Sequence, residues 1–171
     1  LSVIGCACLV TTPIPEVLTY FRSPRRSQPV WELHLGHAED ALTVQLRDGL
    51  EAIEGVDTLR IWEGDRDVLG IVSFTVAGYA PSVVAAYLSA EHGIGLRDGR
   101  FCAHPLLARL GAPGGALRAS IGLGTTAGDI ARLLGAINEL VRRGPGLAYI
   151  ERDGQIGPVD DPRPLPDFLA A

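Results

Sequence analysis

The chain has 171 residues, 47% of them hydrophobic and 20% charged, the make-up of one soluble globular domain with a real core. Its net charge of −5 speaks against a nucleic-acid partner, and no apolar run approaches the roughly 18–20 residues of a membrane span. Three cysteines, Cys6, Cys8 and Cys102, match neither a disulfide framework nor a zinc site, so free thiols in a reducing cytoplasm are expected.

All fifteen basic residues are arginine, and there is no lysine and no methionine. Residue 1 is therefore not a translation start as written, and the chain reads as a fragment or trimmed product. Residues 1–32 form an irregular N-terminal segment, with four prolines and a basic cluster and at most a short turn at residues 16–21. The first helix is predicted from the stripe Leu42, Leu46, Leu50 and Ile53, stopped by Gly55. Strands follow at residues 57–64 and 69–78, around a turn at 65–68. In the second of them Ile71, Ser73 and Thr75 alternate with Val72, Phe74 and Val76.

Pro81 opens a second helix that Gly93 closes. Residues 94–99 read as a short strand running into a turn. A short helix then carries Pro105 in its first turn, with Gly111 after it. Residues 116–124 read as a strand. The last helix begins at Thr126 with Asp129 three residues on, a capping-box start, and shows the stripe Ile130, Leu133, Leu134, Ile137 and Val141. Residues 144–171 are rich in Pro, Gly and Asp and read as an extended tail. The order predicts an α+β two-layer sandwich, a mainly antiparallel sheet with helices over one face.

Chemistry concentrates in "GLRDGRFCAHPLLARLG", residues 95–111. A thiolate is the reactive form of cysteine and cationic neighbours favour it. Arg97, Arg100 and His104 flank Cys102, which is either a nucleophile in a turn or a small apolar residue buried beside Phe101. Arg118 sits in an otherwise apolar strand, where it either snorkels outward or presents its fork to a carboxylate. His104 suits a surface or capping position, and His92 a helix end. Glu32, His34 and His37 make no metal signature, and no metal site is expected.

The ordered set Ser73–Phe74, Gly93–Ile94, Arg97, Gly99, Cys102–Ala103, Pro105, Arg118–Ala119–Ser120 and Thr126 with Asp129 resembles the C-terminal domain of class V aminotransferase-like enzymes. Within that group, residues 33–143 are most similar to cysteine desulfurases of the selenocysteine-lyase type. The resemblance implies the small domain of the aspartate-aminotransferase fold and a parent enzyme that uses pyridoxal 5′-phosphate on cysteine or a related amino acid. It implies that Cys102 carries a persulfide, that Arg118 binds the substrate carboxylate, and that Arg97 matches the first arginine of the loop motif. The chain departs from the pattern where Arg100 and Phe101 replace two histidines, and where Gly124 and Thr125 precede the last helix. Because the family's Schiff-base lysine has no counterpart, no cofactor is expected to bind stably to this chain alone. The missing large domain and, in the parent, a homodimer are the expected partners. The alternative is a small-domain fragment without catalytic activity, a binding module at most.

Overall fold

A computed structural model describes residues 30–61, 70–122, 124–161 and 163–164, with side chains from residue 39 onward. Cys6, Cys8, the expected turns at residues 16–21 and 65–68, and the side chains of Glu32, His34 and His37 lie outside the described residues.

Helix α1 spans Val30–Glu51. Leu46 and Leu50 of its stripe are buried, and Leu42 and Ile53 pack against the core edge. The helix ends four residues before Gly55, whose φ of +82° turns the chain into strand β1, Val56–Thr58. β1 is shorter than the sequence predicts. Strand β2 is Ile71–Val76, helix α2 Pro81–His92, strand β3 Arg97–Gly99, helix α3 His104–Arg109, strand β4 Ala116–Ser120 and helix α4 Ala127–Arg143. The sheet order is β1-β2-β4-β3, and each neighbouring pair is antiparallel. The α+β layering expected from the pattern is the one observed.

The two faces of the sheet are unequal. Val72, Phe74, Val76, Leu117 and Ala119 point to one face and share a continuous core with residues of α1, α2 and α4. Apolar burial there drives the assembly at about 25 cal/mol per Å². Two of these helices come unusually close: a Cβ at Gly49 of α1 would lie 2.2 Å from Leu134 Cδ1 of α4. The other face carries a smaller cluster of Leu107, Ala112 and Ala116, with Leu59 and Phe101 against it. Period-2 alternation puts Ser73, Arg118 and Ala116 on this second face.

Local signals hold the helices in place. The α4 capping box is complete: the Asp129 amide donates to Thr126 Oγ1 at 3.3 Å, and the Thr126 amide to Asp129 Oδ2 at 3.0 Å. α2 has Pro81 in its first turn and left-handed Gly93 at its end. The buried Tyr87 hydroxyl donates to the Ala136 carbonyl at 3.1 Å and lies 2.6 Å from His92 Nε2, tying α2 to α4. Burial, with Glu139 and Glu91 adding to it, pushes the Tyr87 phenol up to about 12.

The segment after Gly144, expected as an extended tail, contains a hairpin: β5 is Tyr149–Arg152 and β6 Gln155–Pro158. Asp153 and Gly154 turn it with φ of +52° and +78°, the left-handed pair that short hairpins favour. Glu91 at the end of α2 fastens the approach to this hairpin. Its carboxylate accepts from the Gly146 and Leu147 amides and, at 2.8 Å, from the Tyr149 hydroxyl. Burial first, then this carboxylate, raises the Tyr149 phenol above its ordinary range.

Candidate active site at the Cys102 turn

Arg118 stands in the middle of β4 with a neighbour on each side: Ser73 of β2 and Arg97 of β3 are its directly opposed residues. Directly opposed residues share a face, so two guanidinium side chains leave the sheet side by side. Like charges so placed repel each other, and an anion between them removes the repulsion. Arg97 is exposed, while Arg118 is half-buried. The Arg118 Nε is buried and makes no hydrogen bond among the described residues. Its Cζ lies 5.3 Å from the centre of the Phe101 ring.

The chain between β3 and α3 explains how Phe101 comes to be there. The Ala103 amide donates to the Arg100 carbonyl at 2.8 Å, closing a tight turn around Phe101 and Cys102. Both central residues are left-handed, with φ of +52° and +57°. Non-glycine residues are uncommon in that region, and two in succession store strain. The turn is anchored at both ends. Arg100 Nε donates to the Pro113 carbonyl at 3.1 Å. The strand pair behind the turn is tight enough that a Cβ on Gly115 would sit 2.9 Å from the Gly99 carbonyl. Phe101 packs against the small cluster that Leu107 of α3 forms with Ala112 and Ala116.

Cys102 is a free thiol and exposed. In this turn it is Phe101 that goes inward, so Cys102 is not the buried apolar residue of the alternative reading. Arg97 and Arg118 are brought together, and Arg118 is joined through Phe101 to the residue next to Cys102. Arg100 is engaged by a backbone carbonyl. His104 is exposed at the start of α3, whose N-cap Ala103 offers no side chain for capping. Sequence reasoning named Phe101 only as a neighbour of Cys102 and a departure from the family pattern, and gave it no part in the site, because a lone aromatic in a basic loop carries no signal of what it faces. Among the described residues no group of three or more His, Cys, Asp or Glu side chains could hold a metal ion, and no helix is long and apolar enough to cross a membrane.

The profile of the family described as Aminotransferase class-V matches residues 33–133. A probable cysteine desulfurase of Pseudomonas aeruginosa is 40% identical over 114 residues, covering 65% of this chain and 27% of that protein. A probable cysteine desulfurase of Pyrococcus abyssi is 39% identical over 93 residues, covering 52% of this chain and 23% of that protein. Among solved structures, the apo cysteine desulfurase from Thermococcus onnurineus NA1 superposes with a TM-score of 0.54 at 34% identity, over 62% of this chain and 26% of that one. The cysteine desulfurase CsdA (S-sulfonic acid) from Escherichia coli gives a TM-score of 0.53 at 33% identity, over 61% of this chain and 24% of that one. The chain thus spans about a quarter of the length of the relatives it matches.

Proposed function

The chain belongs to the aminotransferase class-V family, whose enzymes depend on pyridoxal phosphate, and from that premise we propose that it supplies the substrate-carboxylate clamp and the sulfur-accepting thiol of a cysteine desulfurase-like reaction. The observation that carries the reading is the pairing of Arg118, half-buried and without a hydrogen-bond partner among the described residues, with an exposed Cys102 on a strained turn. Arg118 takes the carboxylate of L-cysteine through its guanidinium fork, with Arg97 as a second cation beside it. Cys102 accepts the sulfur: its thiolate bonds to the substrate sulfur as that sulfur leaves its carbon, and a persulfide remains on the chain.

The pyridoxal group's part in such chemistry is to take up the electron pair released at carbon. The residues of this chain do not fit it. There is no lysine to form an imine with the aldehyde, and the donor set at the turn, two guanidinium groups and a thiol, suits a carboxylate and a sulfur atom. In this reading the cofactor is held by a large domain outside these 171 residues, and this chain binds, orients and presents the acceptor.

Alkylation tests the thiol half of the reading. Iodoacetamide at neutral pH, followed by peptide mass spectrometry, is expected to modify Cys102 ahead of Cys6 and Cys8, and L-serine, which carries the same carboxylate without a thiol to consume the reagent, to slow that modification. Labelling of Cys102 that is no faster than at the other two sites would sink its role as acceptor. Loss of protection in Arg118→Ala, with Cys102 still reactive, would assign the carboxylate to Arg118.

A further inference from the structure

We propose that Phe101 is a positioning residue for Arg118, fixing the guanidinium so that its Nη1/Nη2 edge alone is left to receive a carboxylate. The inference rests on the reading of Arg118 as the clamp and states how the clamp is set. Three features converge on it. The Arg118 Cζ lies 5.3 Å from the Phe101 ring centre, within the range where a cation is drawn to an aromatic face. The Arg118 Nε is buried, so a ligand arriving from solvent cannot use the side-on Nε/Nη pair and must dock end-on. Phe101 is itself held twice, by the left-handed turn that Ala103 closes and by packing on Leu107, Ala112 and Ala116.

The need for such a hold comes from Arg97. It is the directly opposed cross-strand neighbour of Arg118 and carries the same charge. A long flexible side chain repelled from one side swings toward water unless something retains it. No described side chain makes an ion pair with Arg118, and the Phe101 ring is what sits against it. The strain of placing a bulky residue at φ of +52° is thereby given a role: a turn with ordinary backbone would point the residue at 101 elsewhere.

The test uses the full chain, labelled with nitrogen-15, and sodium propionate as an inert carboxylate probe. The Arg118 Nε–H resonance is identified by its absence in Arg118→Lys. In the wild type it is expected to be displaced by the ring current of Phe101 and to move further on titration with propionate. Phe101→Leu keeps the apolar contact with α3 but has no π face. It is expected to lose the ring-current displacement and to weaken propionate binding by about two- to fivefold, the worth of a cation–π contact at a partly exposed site. Phe101→Tyr is expected to retain both, a rescue that lost packing alone would not predict. Should Phe101→Leu not fold, Phe101→Met is read in the same way. Wild-type affinity in the ringless variant overturns the positioning role and leaves the clamp standing. A wild-type Arg118 resonance unmoved by propionate overturns the clamp itself, and the positioning role with it.

Discussion

Cys102 shows what a single backbone angle can say about a residue. An L-amino acid in left-handed backbone costs about 1–2 kcal/mol, and glycine escapes that cost while adding about 0.5–1 kcal/mol of chain entropy to the unfolded state. Since the Cys102 side chain is exposed and supports no packing, Cys102→Gly is expected to melt at or slightly above the wild-type temperature while losing the thiol. A fall of several degrees in a calorimetric scan would show that the turn is not strained there. Tyr87 gives a second residue-scale prediction. Its phenol ionises near 10 when unfolded and near 12 when folded, because burial disfavours the phenolate. A raised folded value means that stability is full below about pH 10 and is lost as pH climbs toward 12, by about 2–3 kcal/mol for the two-unit shift. Denaturant unfolding at pH 9 and above pH 11 should therefore separate wild type from Tyr87→Phe, the variant losing less stability over the interval. Equal losses would place the phenolate in water.

At the scale of elements, what the sequence makes legible follows from how local each signal is. The α4 start needs only Thr126 and Asp129, three residues apart, and it forms as their spacing predicts. The stripes of α1 and α4 depend on one element each and turn toward the core, and the alternation in β2, read without assigning a face, separates a buried set of Val72, Phe74 and Val76 from the outward one. The β5–β6 hairpin had a local signal as well, the Asp153–Gly154 pair, but the surrounding Pro and Gly content points to a tail and masks it. Glu91 had none. Its partners lie 55 to 58 residues further along the chain, and nothing at the end of α2 announces them. Glu91→Ala leaves two amides and a hydroxyl without their charged acceptor, a loss of about 2 kcal/mol or more if water does not fully replace it. Hydrogen exchange is expected to quicken at residues 146–158 while the amides of β2 and β4 stay protected. Quickening confined to the end of α2 would show that the hairpin does not depend on the clamp. The candidate site mixes both kinds of feature. Cys102, Arg97 and Arg118 stand out by type, whereas the ring that holds Arg118 depends on a turn geometry and a sheet register that no short window contains.

The whole molecule is a sheet dressed unequally. Three helices pack on one face, and on the other, among the described residues, α3 and its small cluster stand beside the arginine pair. On the proposed function, that second face is where a substrate and the remainder of the active site would meet. The chain offers no lysine toward such a site, so added pyridoxal phosphate is expected to give no stable, protein-specific absorbance of the imine kind. L-Cysteine with the cofactor and this chain should release no more sulfide than the free cofactor does. Turnover above that background by the purified chain would overturn the reading in which the cofactor is held elsewhere.

The arginine pair has a consequence for how the chain behaves in any buffer. Whatever anion settles between Arg97 and Arg118 binds the folded chain and not the unfolded one, because only the β3–β4 register brings the two charges together. Every such ion is then a folding ligand, adding RT ln(1 + [L]/Kd) to the stability. Unfolding midpoints taken in phosphate, sulfate and chloride at equal ionic strength are therefore expected to differ, and equal midpoints would show that no anion settles between the two arginines.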